Sequence, residues 1–372
     1  MREIKVDIKF IDASEWQEQF WLSSGGTRAK KILQDPNGND YFFKCSEKKE
    51  AKEGKLAKEY KYEFWNEIIA YQLGKALGLN MLRYDIAIFG DEIGCLSPKM
   101  NNSEEELVEV GRFMTAINAD FLPENNNTRK EYTFQLLEQT INEFKLSEYW
   151  EFFFQTILFD AIIGNTDRHQ ENWAFLGKTS ALVKHIDLLD TEIKKIKKVH
   201  KLQLKDLPLP WYVKKTMGLF IDFEKEDLKQ SVKNTQLFFT NIKSFAPIYD
   251  SGSSLLRELQ SERVEELLQN ELALESYINK GFAELHWDRI KLNHFKLIEN
   301  IVNSSYLETI TKSAVFLSNW NDSMISIILD DLDKDLPVEW NKYRIPDNRK
   351  KLIIKIVSLR FQKLKDLFSG RI

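Results

Sequence analysis

The sequence predicts an α+β fold of two lobes: a small strand-rich lobe over residues 1–100 and a larger, mostly helical lobe over residues 101–372, with an insertion at about 178–244. Three observations carry this. Alternating apolar and polar residues around a turn signal dominate the first hundred positions. From about residue 101 the apolar residues recur at helical spacing instead. At 372 residues the chain is also too long for one small core.

The elements follow in order. Ile4-Lys-Val-Asp-Ile-Lys-Phe10 alternates as a strand does, and Pro36-Asn-Gly-Asn39 separates Lys31-Ile-Leu33 from Tyr41-Phe-Phe-Lys44, which reads as a hairpin. A charged stretch from Glu47 to Lys58 reads as a solvated loop or a helix start. Tyr62, Trp65, Ile68, Ile69, Leu73, Ala76 and Leu77 then lie at helical spacing, and Gly78 stands where a C-cap belongs. Ile86 to Phe89 and Ile93 to Met100 read as two more strands, placing the lobe boundary near Met100. Ser147 is positioned to cap a helix over Tyr149 to Ile163, apolar nearly all round and therefore buried in the centre of the second lobe. Beyond residue 255 amphipathic helices are expected, among them Phe282 to Val302 and Lys350 to Phe368.

Composition excludes several classes. Hydrophobic residues make up 43% of the chain, enough for a packed globular protein. A net charge of -4 argues against general nucleic-acid binding through a basic surface. Cys45 and Cys95 have no CxxC spacing and read as reduced thiols. The N-terminus lacks an apolar core of signal-peptide length, and no run approaches the roughly 18 apolar residues of a membrane span, so a cytoplasmic protein with no membrane partner is expected. His185, His200, His286 and His294 show no metal-ligand spacing, which speaks against zinc.

The chemistry is concentrated in Ile163-Gly-Asn-Thr-Asp-Arg-His-Gln-Glu-Asn-Trp173, where Asp167 stands five residues before Asn172 directly after the apolar helix. A phosphoryl-transfer site needs this spacing: the acid orients an attacking hydroxyl, and the amide oxygen holds a magnesium ion on nucleotide phosphates. The other parts appear in order. Leu22-Ser-Ser-Gly-Gly-Thr-Arg-Ala-Lys30, with Ser24, Gly25, Gly26 and Thr27 at its centre, lets backbone N–H groups approach an anion. Lys44 ends an apolar strand and can neutralise phosphate oxygens. Glu63 and Glu67, one helical turn apart, can each pair with that lysine; Glu67 is preferred because it lies among Trp65, Ile68 and Ile69, whereas Glu63 is placed to meet surface lysines. Asp250, after the short apolar strand beginning at Phe245 and before the turn that Gly252 permits, supplies a second oxygen ligand for magnesium. Asp187 competes for that role but lacks a following glycine. His169 is expected to support loop geometry.

These ordered pieces, with Gly94-Cys-Leu-Ser-Pro-Lys99, resemble the HipA-like serine/threonine kinases in their short form without the extra N-terminal domain. The resemblance implies a two-lobed protein-kinase-like fold, ATP and Mg2+ as cofactors, and transfer to protein serine or threonine. It makes Asp167 the catalytic base, Asn172 and Asp250 the metal ligands and Lys44 the phosphate lysine. It further implies autophosphorylation in the Gly-rich loop, at Ser23 or its neighbour Ser24, and a toxin role with an antitoxin protein as partner.

One departure is large. The 77 residues from 173 to 249 stand where the family has a short hairpin, and they carry Lys194, Lys195, Lys197, Lys198, Lys201 and Lys205. Such a run is a solvated face or a docking surface for an acidic protein or an RNA. Leu207-Pro-Leu-Pro-Trp-Tyr212 reads as a non-helical hinge. Two alternatives remain: a phosphoinositide kinase, which shares the D-R-H-x-x-N loop, and a catalytically inactive kinase-like scaffold.

Overall fold

The computed structural model describes residues 5–19, 30–46, 48–49, 58–102, 104–118, 120–122, 125–178 and 242–370. Ser23, Ser24, Gly25, Gly26, Thr27, Asp187, the Lys-rich run and the 207–212 segment lie outside them. The chain opens with β1 (Phe10–Asp12), β2 (Gln17–Glu18), β3 (Lys31–Gln34), β4 (Asp40–Cys45) and the short pair β5 (Lys48–Lys49) and β6 (Lys58–Glu59). Helix α1 (Glu63–Leu77) follows, then β7 (Asp85–Phe89) and β8 (Glu92–Pro98). The hairpin of β3 and β4 pairs Lys31 with Phe43 and Gln34 with Asp40 across the predicted turn. β1, β7, β8, β4, β3 and β2 form one six-stranded sheet in that order. α1 ends at Gly78 in the left-handed conformation, as its sequence predicts.

The expected first strand is displaced. β1 pairs in parallel with β7 only from Phe10 onward. Upstream, Lys9 donates its N–H to the Asp85 side-chain carboxylate at 3.0 Å and not to a strand carbonyl.

The second part is helical with one further sheet. β9 (Glu105–Glu109) leads into α2 (Val110–Ile117), α3 (Phe134–Glu143) and α4 (Trp150–Ile163), followed by β10 (Ala174–Lys178) and β11 (Ile242–Phe245). β10 lies between β11 and β9, antiparallel to both. Helices α5 (Ser261–Gln269), α6 (Glu271–Asn279), α7 (His294–Val302), α8 (Leu307–Ser313), α9 (Met324–Leu332) and α10 (Asp347–Leu367) complete the described chain. No helix among the described residues is long and apolar enough to cross a membrane.

Three local expectations are corrected. β9 occupies a stretch read as helical: its two apolar residues, Leu107 and Val108, find partners only in β10, far away in sequence. Ser147 opens a single 3₁₀ turn and does not cap α4 with its side chain. The helix expected from Phe282 starts at His294, because Asn293 caps it by accepting the Lys296 N–H at 2.8 Å. Ahead of that cap, Asp288 and Arg289 adopt left-handed backbone and no helix can continue through them.

Packing explains α4. Phe153, Phe154, Leu158, Phe159 and Ile162 are fully buried on several sides of the helix. One apolar cluster runs from Phe64 in α1 through α4 to Phe368, while a smaller one, Ala13, Leu33, Phe43, Ala87 and Leu96, fills part of the six-stranded sheet. The architecture is a strand-rich sheet with one helix joined to a helical part, in the α+β class. From the change of secondary structure after β8 we propose Met100 as the lobe boundary.

Candidate active site

β4 lies inside the sheet between β3 and β8, which fixes the Lys44 backbone opposite Cys95. Glu67 on α1 is 2% exposed. The Lys44 ammonium donates to Glu67 Oε1 at 2.9 Å and to Asp250 Oδ1 at 2.8 Å. Burial works against this charge, but the Asp250 and Glu67 carboxylates outweigh it and hold the lysine well above its ordinary range. The other Glu67 oxygen, Oε2, accepts the Ser251 N–H at 2.7 Å. Glu63 meets Arg257 at 2.7 Å, a side chain 14% exposed and not a surface lysine.

The loop after α4 is built on a buried ion pair. Asp160, in the apolar helix, is 2% exposed and Arg168 is 3% exposed. Arg168 Nε donates to Asp160 Oδ2 at 2.9 Å and Nη2 to Asp160 Oδ1 at 3.0 Å, a two-pronged contact. The same guanidinium donates to the Asn172 carbonyl at 3.3 Å, to Ser251 Oγ at 3.2 Å and to the Tyr249 carbonyl. Burial disfavours its charge, and Asp160 more than restores it, raising the guanidinium above its usual range. Arg168 thereby joins helix, loop and the strand exit that carries Asp250.

Within the loop, Asn165 Nδ2 donates to Asp160 Oδ1 at 3.0 Å and its Oδ1 accepts the Asp167 N–H at 3.2 Å. Asn172 Nδ2 donates to the Asp167 carbonyl at 3.0 Å, so the amide oxygen is the atom of that side chain with the chemistry to ligate a metal. His169 Nδ1 accepts the Glu171 N–H at 3.4 Å, a contact within the loop.

Asp250 lies beyond the end of β11, in a segment whose Ile248 bridges to Met81. Its own φ is 56°, and its N–H donates to the Tyr84 hydroxyl at 3.2 Å. The sharp turn assigned to Gly252 is therefore made at Asp250. Gly252 serves a different need: a Cβ there would stand 3.2 Å from Glu67 Oε1. Asn66 Nδ2 holds this segment by donating to the Gly252 and Ser254 carbonyls at 3.2 and 2.7 Å.

Lys44, Glu67 and Asp250 thus meet directly, and Asp167 and Asn172 join them through Arg168. Sequence reasoning missed Asp160, Arg168, Asn66 and Ser253. A lone acid inside an apolar helix followed by an arginine was the available signal for the first two. Lys30 was also given no role; burial and the neighbouring Lys44 lower its affinity for a proton, while Asp250, Glu67 and Glu171 act the other way.

A pH-dependent support lies behind the loop. His294 is 2% exposed, and its imidazole is pushed down to about 3 by burial and then by the Arg360 charge, against a hydrogen bond with the Asn165 backbone. Arg360 donates to the Ala161 carbonyl at 3.1 Å near the end of α4. A histidine held neutral in the fold titrates near 6.5 once released, so its stability contribution is complete above that pH and is lost as pH falls toward 3. Chemical denaturation at pH 7 and pH 5 should therefore show His294→Asn losing about 2 kcal/mol less than the wild type over that interval.

A strand lysine braced by a helix glutamate and facing an aspartate, above a D-x-x-x-x-N loop at the end of a buried helix, defines a protein of kinase fold. The model of the HipA-like C-terminal domain matches residues 22–225, more than half of the chain, and the chain belongs to that family. The match stops before Asp250. The crystal structure of the Helicobacter pylori proinflammatory kinase CtkA aligns over 98% of each chain with a TM-score of 0.64 and 15% identity, a likeness of fold. Comparison with curated proteins gives no match.

Proposed function

We propose that this chain is an ATP- and magnesium-dependent serine/threonine protein kinase of HipA-like type. The observation that carries the reading is Lys44 held at 2.9 Å from Glu67 and 2.8 Å from Asp250. Family membership and the CtkA-like fold support it. The donor chemistry fits magnesium, since the Asp250 carboxylate and the Asn172 amide oxygen are hard ligands and few are needed from protein. Bound ATP with magnesium supplies the γ-phosphoryl group and neutralises charge during its transfer.

The chain's own residues do the rest by positioning. Lys44 lies where it can neutralise phosphate oxygens, kept charged and in place by Glu67. Asp167 orients the substrate hydroxyl and accepts its proton. Arg168 keeps the Asp167 loop and the Asp250 segment in one register, which is the main requirement of a reaction with little covalent chemistry for the protein. Within the same reading Ser24, Gly25, Gly26 and Thr27 contact the phosphates, Ser23 and Ser24 are the autophosphorylation candidates, and an antitoxin protein is the proposed partner.

Lys44→Met tests the site. Transfer of label from γ-labelled ATP should fall by at least about 100-fold, while thermal melting confirms a folded variant. Transfer at the wild-type rate by that variant would sink the reading.

A further inference from the structure

Ser253 stands where no role has been assigned to it. Its side chain, on a residue 9% exposed, donates from Oγ to Asp167 Oδ2 at 3.2 Å. The backbone around it is docked onto the loop that carries Asp167: Thr166 N–H donates to the Ser253 carbonyl at 3.3 Å, and Leu255 N–H donates to the Ile163 carbonyl at 3.1 Å. On its other side the segment is fixed by Ser251 N–H on Glu67 and by Asn66 on the Gly252 and Ser254 carbonyls. The Ser254 hydroxyl closes the turn on the Ser251 carbonyl at 2.6 Å. Ser253 Oγ is therefore a hydroxyl on a braced backbone.

From this we infer that Ser253 is a positioning residue for Asp167, an inference that rests on the kinase reading. A carboxylate on a loop can turn about its terminal bond, whose torsional preference is broad. A hydroxyl from a rigid neighbour, donating to one oxygen, restricts that rotation and sets the direction of the other oxygen. Proton acceptance from a substrate hydroxyl demands this, because a misplacement of about 1 Å can cost on the order of 100-fold in rate. The arrangement also links the two halves of the site. Residues 251–254 touch Glu67, the partner of Lys44, at one end and Asp167 at the other, so the segment that follows the metal ligand Asp250 sets the lysine side and the base side together.

The test uses the full chain with γ-labelled ATP and magnesium, reading label in dephosphorylated casein and in the chain itself. Wild-type transfer that Asp167→Ala lowers by at least about 100-fold, to a residual rate still measurable with enzyme in excess, establishes the kinase reading, and absence of any wild-type transfer removes both the reading and the inference. Given transfer, Ser253→Ala should lower kcat about 10- to 100-fold with the KM for ATP within about twofold of wild type, and Ser253→Thr, which keeps the hydroxyl, should recover most of the loss. The double variant Asp167→Ala/Ser253→Ala should be no slower than Asp167→Ala alone, because a residue that acts through Asp167 has nothing left to position. A Ser253→Ala variant with unchanged kcat, an additive double variant, or a loss seen equally in ATP binding and melting temperature would each overturn the assignment.

Discussion

Asp167→Ala is expected to reduce phosphoryl transfer by about 100- to 10,000-fold, the range a positioned proton acceptor contributes, while ATP affinity measured by calorimetry stays within about twofold. The split follows from the geometry. In the proposed reading the nucleotide phosphates are addressed by Lys44, whose partners are Glu67 and Asp250, and none of these contacts passes through the Asp167 side chain. The Asp167 backbone still matters, since its carbonyl accepts the Asn172 amide at 3.0 Å, and alanine leaves that bond intact. Truncation therefore removes the carboxylate without dismantling the loop. A fall in ATP affinity matching the fall in rate would show that Asp167 holds the nucleotide.

The largest effect on stability is expected from Asp160→Ala. Arg168 would keep its carbonyl partners and Ser251 but lose both carboxylate oxygens in a site where it is 3% exposed. Removing one member of such a pair costs about 3–5 kcal/mol, because the remaining charge stays buried without compensation. Urea denaturation should report that loss directly. Asp160→Asn, which retains an acceptor oxygen, should cost less. Activity should fall with both, since the guanidinium joins the Asn172 carbonyl to the Tyr249 carbonyl one residue before Asp250. If Asp160→Ala were as stable as the wild type, Arg168 would be held sufficiently by its carbonyl partners and Ser251.

Much of the site could be read before any fold was known, for reasons that particular residues make clear. Lys44, Glu67, Asp167, Asn172 and Asp250 are the residue types that phosphoryl transfer uses, and each sits within or soon after an element whose periodicity or turn signal is local. α1 is an example, with its apolar repeat closed by Gly78. What escaped was nonlocal. β9 has two apolar residues in five and becomes a strand only because β10 reaches it from beyond α4. The Phe282 region carries enough apolar residues for a helix, yet Asn293 and the left-handed pair Asp288 and Arg289 decide against it. Glu63 looked like a surface residue until Arg257, far along the chain, was placed beside it. Arg168 and Ser253 have no spacing rule of their own, since their meaning comes from Asp160, Tyr249 and Asp167 meeting them in space.

The most direct test of the account is the chemical identity of the product. Wild-type chain incubated with γ-labelled ATP, magnesium, protein acceptor and phosphoinositide vesicles should place label on protein as phosphoserine or phosphothreonine, and Asp250→Asn should place none. Label confined to lipid, or undiminished protein labelling by Asp250→Asn, would contradict it.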